Sequence, residues 1–133
     1  MGVLEKAYVG YVRRAIEYGI ATWGNAAKSN FQKVEAIQNR SLRIITGGMR
    51  STPINHMEST TGLHTMQDRR DIKTVTQYAK FHHIEAHPMH YRVKQGEKSR
   101  IKRTNFCTAA KTLTNAYNIP NLEPHSRMEL TYP

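Results

Sequence analysis

Only one cysteine, Cys107, occurs in the 133 residues. That excludes an internal disulfide and any zinc site built from cysteine pairs, and it predicts an intracellular chain, nuclear or cytoplasmic. Aspartate is nearly absent too: Asp68 and Asp71 stand alone, in the charged stretch DRRD. Catalysis on clustered carboxylates therefore has little to draw on. No stretch approaches the ~20 apolar residues of a membrane span. The amino end, MGVLEKAYVGYVRRAIEYG, lacks the uninterrupted apolar run of a signal peptide, and Lys6 stands where a myristoylation signal wants Ser or Thr. No membrane partner is expected. There is no Walker loop, no G-x-S-x-G and no G-x-G-x-x-G.

Positive charge is abundant. Twenty Lys/Arg face ten Asp/Glu, for a net charge of +10. Counted along the sequence, residues 1–49 carry seven cations and three acids (+4), residues 50–87 five and four (+1), and residues 88–133 eight and three (+5). An excess concentrated at the two ends favours an anionic partner, of which nucleic acid is the commonest. A hydrophobic fraction of 38% suits one small domain.

The apolar spacing predicts helices throughout. Leu4 to about Tyr18 puts Leu4, Tyr8, Tyr11, Val12, Ala15 and Ile16 on one side, with Gly19 to end or bend the helix. Trp23, Tyr11 and Tyr18 are expected to pack the junction with the next helix. Asn30 to Gly47 is the strongest signal. Phe31, Val34, Ile37, Leu42, Ile44 and Ile45 share a broad side, and Lys33, Arg40 and Arg43 lie opposite. Ser29 with Gln32 suggests a capping box, and Gly47-Gly48 a stop. Gln38 falls inside the apolar arc, so its amide needs a partner, such as the backbone of a neighbouring loop. Thr52-Pro53 suggests a capped short helix closed by Gly62. Thr65 and Asp68 suggest a further capped start, with Ile72, Val75, Thr76, Ala79 and His83 on the inner face and Pro88 as the stop. Beyond Pro88 the periodicity fades. Thr104 to Asn118 offers only a weak helix, through Phe106, Ala110, Leu113 and Tyr117. The expected fold is all-α: a small bundle of about four helices over residues 4–87, then a basic, proline-containing, partly disordered tail over residues 88–133.

Seven histidines raise a metal site, with His83 and His87 four apart and His82 and His90 near. HHIEAH is not H-E-x-x-H, and no cysteine pair or nearby aspartate completes a tetrahedral set, so edge-of-core histidines are the simpler reading. Asp68 and Asp71 read as a salt-bridged helix start beside Arg69 and Arg70. What survives is a set of cations with interleaved aromatics. Arg13, Arg14, Lys33, Arg40, Arg43 and Arg50 are expected to track phosphates. Lys98, Arg100, Lys102 and Arg103 extend the set, with Tyr91, Arg92 and Lys94 alongside. The alternative for each is a solvated helix face.

The order of short elements along the chain carries a resemblance. Tyr11-Val12-Arg13 is followed by Ile16-Glu17-Tyr18-Gly19, Trp23 and Val34-Glu35-Ala36-Ile37-Gln38-Asn39. Then come Leu42-Arg43-Ile44-Ile45-Thr46-Gly47, Ser51-Thr52-Pro53-Ile54, Gly62-Leu63 and Arg69-Arg70. Over about residues 4–87 this resembles the segment just after the reverse transcriptase domain in jockey-like non-LTR retrotransposon polyproteins. There it forms a helical thumb-like and connector region. Arg14 departs from a frequent proline, Gly48-Met49 from Ala-Pro, and Thr65-Met66 from Pro-Leu. The resemblance implies a parent RNA-directed DNA polymerase, with this chain a non-catalytic fragment of it. The family's Tyr-x-Asp-Asp element and its ribonuclease H carboxylates are not in this sequence. No cofactor is expected here, and magnesium would belong to the polymerase palm. The implied partners are the RNA/DNA template-primer and that palm. A helical protein–protein docking module, or a transposon remnant without function, are the alternatives.

Overall fold

The computed structural model describes residues 2–95 and 105–119, Ala21 by its backbone alone. Every regular element among them is helical, and the fold is small and all-α. We number seven helices in chain order. α1 covers residues 3–17 in three consecutive stretches: Val3–Ala7, a π-helical Tyr8–Arg13, and Arg14–Glu17. α2 is Ile20–Trp23, α3 Lys28–Thr46, α4 Ile54–Thr61, α5 Met66–His83, α6 Met89–Gln95 and α7 Phe106–Ala116.

The π-helical stretch changes which residues of α1 face inward. A wider turn brings i and i+5 into line, where the α-helix aligns i with i+3 and i+4. Tyr8 and Arg13 are buried, and Val9 and Ile16 pack on the core. Tyr11 and Tyr18, expected to pack the first junction, are 82% and 87% exposed. Trp23 does reach the core, and its indole Nε1 donates to Tyr18 O at 3.2 Å.

Two linked cores hold the helices. Tyr8, Leu42, Met57 and Leu63 form one, joining α1, α3 and α4. Ile20, Phe31 and Met66 form the other, joining α2, α3 and the start of α5. α3 borders both. Phe31, Gln38 and Leu42 are its buried positions, whereas Ile37 and Ile44, expected inside, are exposed. The helix starts at Lys28 after Ala27, with no side-chain cap, so Ser29 lies inside its first turn and Gln32 just beyond it. Its end is as expected: Gly47 sits at φ 69° and donates its N–H to Arg43 O. Gly62 closes α4 likewise, at φ 67°. Pro53, expected as the first helical residue, is instead the N-cap of α4, so the helix starts one residue later than expected, and Thr52 Oγ1 accepts from Met49 N–H.

Thr65 caps α5, its Oγ1 accepting from Asp68 N–H at 3.1 Å. α5 ends at His83, before Pro88, and its inner face differs from the expected one. Ile72 and Thr76 are exposed and Thr74 is buried. α5 is flanked by α2 on one side and by α6 and α7 on others, so no single apolar stripe describes it. The stretch after Pro88 is more ordered than a tail. Val93 of α6 and Cys107 and Ala110 of α7 are buried, with the Phe81 and Phe106 rings edge to face at 5.8 Å. The rest of the expected tail, residues 96–104 and 120–133, lies outside the described residues.

Candidate nucleic-acid interface

Arg13 is the first candidate, and burial decides its role. It is 7% exposed. Its Nε donates to Glu17 Oε1 at 3.0 Å and its Nη2 to His64 O at 3.4 Å. The π-helical turn carries it into the core, so it serves as an internal staple instead of an outer phosphate contact. Glu17 is the hub of this staple. Arg69 clamps it with both arms, Nε at 2.6 Å and Nη2 at 2.7 Å, and Lys73 Nζ lies 3.8 Å away. Burial pushes the Glu17 carboxyl up most strongly, but the Arg69 hydrogen bonds and the charges of Arg69, Arg13 and Lys73 bring it net below its usual value. An i,i+4 Arg13–Glu17 pair facing an i,i+4 Arg69–Lys73 pair was the available sequence signal for this cluster.

A second polar staple lies beside it. Tyr8 Oη donates to Gln38 Oε1 at 2.9 Å, and Gln38 Nε2 donates to His64 O at 3.1 Å. Burial pushes the Tyr8 phenol up, which keeps it a donor. The expected loop partner for Gln38 is thus the backbone at His64. Arg70 joins α5 to the α2–α3 turn: it lies over the Phe31 ring at 4.8 Å and donates to Gly24 O. A Cβ at position 24 would collide with Ile20 O and the Arg70 side chain, so glycine is required there.

The remaining expected contacts divide into two regions. Lys33 and Arg40 are exposed on α3, and Arg50 is exposed in the turn that follows. None of the three has an acidic partner among the described residues. Arg43 is half-buried, and its Nε is buried with no hydrogen-bond partner among the described residues. Arg14 is exposed elsewhere. It borders a cleft of about 1000 Å³ with Tyr18, Lys73 and Phe81, and α3 contributes no lining residue among those described. Lys98, Arg100, Lys102 and Arg103 lie outside the described residues.

Among the described residues, no group of three or more His, Cys, Asp or Glu could hold a metal. His87 Nδ1 accepts from Met89 N–H, His90 Nδ1 lies 3.1 Å from Phe81 O, and the His87 ring stacks on Phe81 at 4.5 Å. These histidines organise the α5–α6 corner. Of the expected salt-bridged helix start, Asp71 pairs with Arg70 at 3.4 Å, whereas Asp68 has no ion pair among the described residues and Arg69 turns to Glu17 instead. No described helix is long and apolar enough to cross a membrane.

These features define a small, basic, all-α module. Comparison with known proteins adds one relation: 62 residues, 47% of the chain, are 36% identical to the probable RNA-directed DNA polymerase from transposon BS of Drosophila melanogaster. The chain spans about 7% of that protein's length. The partial match supports a relation to transposon reverse transcriptases. No protein-family profile matches the chain, and no solved structure matches it.

Proposed function

We propose that this chain is a non-catalytic part of a jockey-like retrotransposon RNA-directed DNA polymerase, from its thumb or connector region. In this reading it grips template-primer nucleic acid through backbone phosphates, and a palm elsewhere in the parent supplies the chemistry. The observation that carries the proposal is the outer side of α3. Lys33 and Arg40 stand exposed there without acidic partners among the described residues, and Arg50 follows beyond its end. Arg43 beside them holds a buried Nε that lacks an internal acceptor among the described residues. Cations so placed neutralise phosphates without reading bases, giving affinity and position but no sequence choice.

A second reading is favoured by the exposed apolar residues of α1, Val3 at 82% and Leu4 at 54%. They suit a docking module that packs on the palm or another protein. Salt separates the two. Binding of a labelled RNA–DNA hybrid is followed by fluorescence anisotropy across a salt titration, for the native chain and for Arg40→Glu with Arg43→Glu. Each lost phosphate contact reduces the slope of log affinity against log salt by about 0.9, so the double variant loses roughly 1.8. An unchanged slope in a folded double variant removes the α3 surface from the proposal. Helical protein that does not bind the hybrid at all shifts the reading to docking.

A further inference from the structure

The cleft beside α1 differs in chemistry from the α3 face. Arg13, Arg14, Arg69 and Lys73 border it, against one carboxylate, Glu17. Glu17 holds Arg13 and Arg69 as close ion pairs, so both guanidinium groups are engaged inside the protein, although its single charge offsets only one of them. Lys73 keeps only a 3.8 Å contact and a side chain 42% exposed. Arg14 is exposed, with no acidic partner among the described residues. Four cations against one carboxylate leave the cleft border at a net charge of +3, and Arg14 and Lys73 are the two cations there without a close ion pair. Tyr18 borders the same cleft with its ring almost fully in water, and Phe81 and Phe106 give it apolar surface.

We infer that this cleft binds a single-stranded nucleic-acid segment, with phosphates on Arg14 and Lys73 and an unpaired base stacked on Tyr18. The tyrosine ring selects the strand state. In a duplex both faces of a base are already covered by its neighbours, so an exposed ring gains little from it. A single strand offers free base faces, and stacking on them tolerates any sequence. An acidic peptide would satisfy the two cations but supplies no matching flat face for Tyr18. This site is independent of the α3 reading, because the two share no described residue.

The only tryptophan of the chain reports on it directly, since Trp23 Nε1 is hydrogen-bonded to the Tyr18 carbonyl. The full chain is titrated with oligo(dT), reading Trp23 emission, and its anisotropy with labelled oligo(dT) is compared with that of a labelled hybrid duplex. A saturable emission change is expected. Tyr18→Ala is expected to weaken oligo(dT) binding by about five- to 150-fold, the range for loss of one stacked base, while hybrid affinity is unchanged. Tyr18→Phe keeps the ring and restores native affinity. Arg40→Glu with Arg43→Glu leaves the Trp23 response intact. Unchanged oligo(dT) affinity in a Tyr18→Ala variant with native circular dichroism overturns the inference, without touching the α3 proposal. Oligoglutamate that reproduces the saturable Trp23 change, insensitive to Tyr18→Ala, also overturns it, in favour of an acidic-peptide site.

Discussion

Replacing Glu17 by glutamine removes one charge from the middle of the fold and keeps the side chain's shape. The native carboxylate accepts from Arg69 at 2.6 and 2.7 Å and from Arg13 at 3.0 Å, and it is 8% exposed. Water cannot easily replace those bonds. Removing one member of a buried pair costs about 3–5 kcal/mol, chiefly because the other charge is left behind. Here the released cations differ. Arg13 is as buried as Glu17, whereas the Arg69 side chain is 25% exposed and regains part of its hydration. That relief brings the expected loss to roughly 2–3 kcal/mol. At about 2.1 cal/mol/K of unfolding entropy per residue, a chain of this size should lose on the order of 10 °C in Tm. Thermal and urea unfolding followed by far-UV circular dichroism measure this. A double-mutant cycle with Arg69→Met isolates the pair, with a coupling above about 1 kcal/mol expected. If Glu17→Gln melts with the native protein, or the two substitutions simply add, the hub does not tie α1 to α5 and the reasoning fails.

Gln38→Leu leaves Tyr8 Oη without its acceptor and His64 O with only the long bond from Arg13 Nη2, and should cost about 1–3 kcal/mol, read as a lower urea midpoint; Tyr8→Phe, which removes only one bond, should cost about 1 kcal/mol. Gly47→Ala adds a methyl that meets nothing, so its cost is the left-handed backbone alone, about 1–2 kcal/mol; an unchanged Tm would contradict the φ of 69°. Stability should fall in two acid steps. His82 is held below its usual 6.5 by burial and then by His83, Lys94 and His90, so the unfolded chain binds the extra proton and stability is lost as pH drops below about 6.5. Glu17 titrates below its usual 4.5, so its contribution is full above that value and disappears as pH falls through the depressed one. Glu58, raised mainly by burial, works the other way and softens the second step. Urea midpoints across a pH series test this, and a flat profile from about pH 7 to about pH 5 excludes the His82 step.

The sequence disclosed features whose cause is local. Gly47 and Gly62 end helices because only glycine takes a positive φ at no steric cost, and Thr65 caps α5 because its hydroxyl reaches the N–H three residues on. Gln38 was legible through a local conflict, a polar residue in an apolar arc. Features whose cause is tertiary were hidden. The face of α1 is set by a π-helical stretch, and no spacing rule anticipates a five-residue step. Ile72 falls on the face that helical spacing alone selects, but α2, α6 and α7 all approach α5 and spacing does not say from which sides. After Pro88 the weak helix expected over Thr104 to Asn118 is α7, whereas α6 was not expected; both bury few large side chains, Val93, Cys107 and Ala110 being their buried positions.

The arginines separate by their place in the sequence, and that bears on what the resemblance can support. Arg13, Arg43, Arg69 and Arg70 lie inside the ordered elements that resemble a retrotransposon polymerase. Arg13 is buried and the other three are half-buried, and Arg13, Arg69 and Arg70 are spent on Glu17, His64 O, Asp71 and the Phe31 ring. Arg14, Lys33, Arg40 and Arg50 lie between those elements, and Lys73 lies just beyond the last of them. The first four are exposed without an acidic partner among the described residues, and Lys73 has only its long contact to Glu17. The recognisable pattern is thus mostly a record of internal ion pairs, caps and packing. It explains why a chain with this order of residues takes this fold. It says much less about surface cations, because exposed side chains do not constrain the fold. Residues outside the shared elements, Arg40 and the cleft residue Lys73 among them, are therefore the positions that test affinity for nucleic acid. If charge reversal at such positions abolished salt-dependent binding while Arg69 variants lost only stability, fold and grip would be encoded by separate residues.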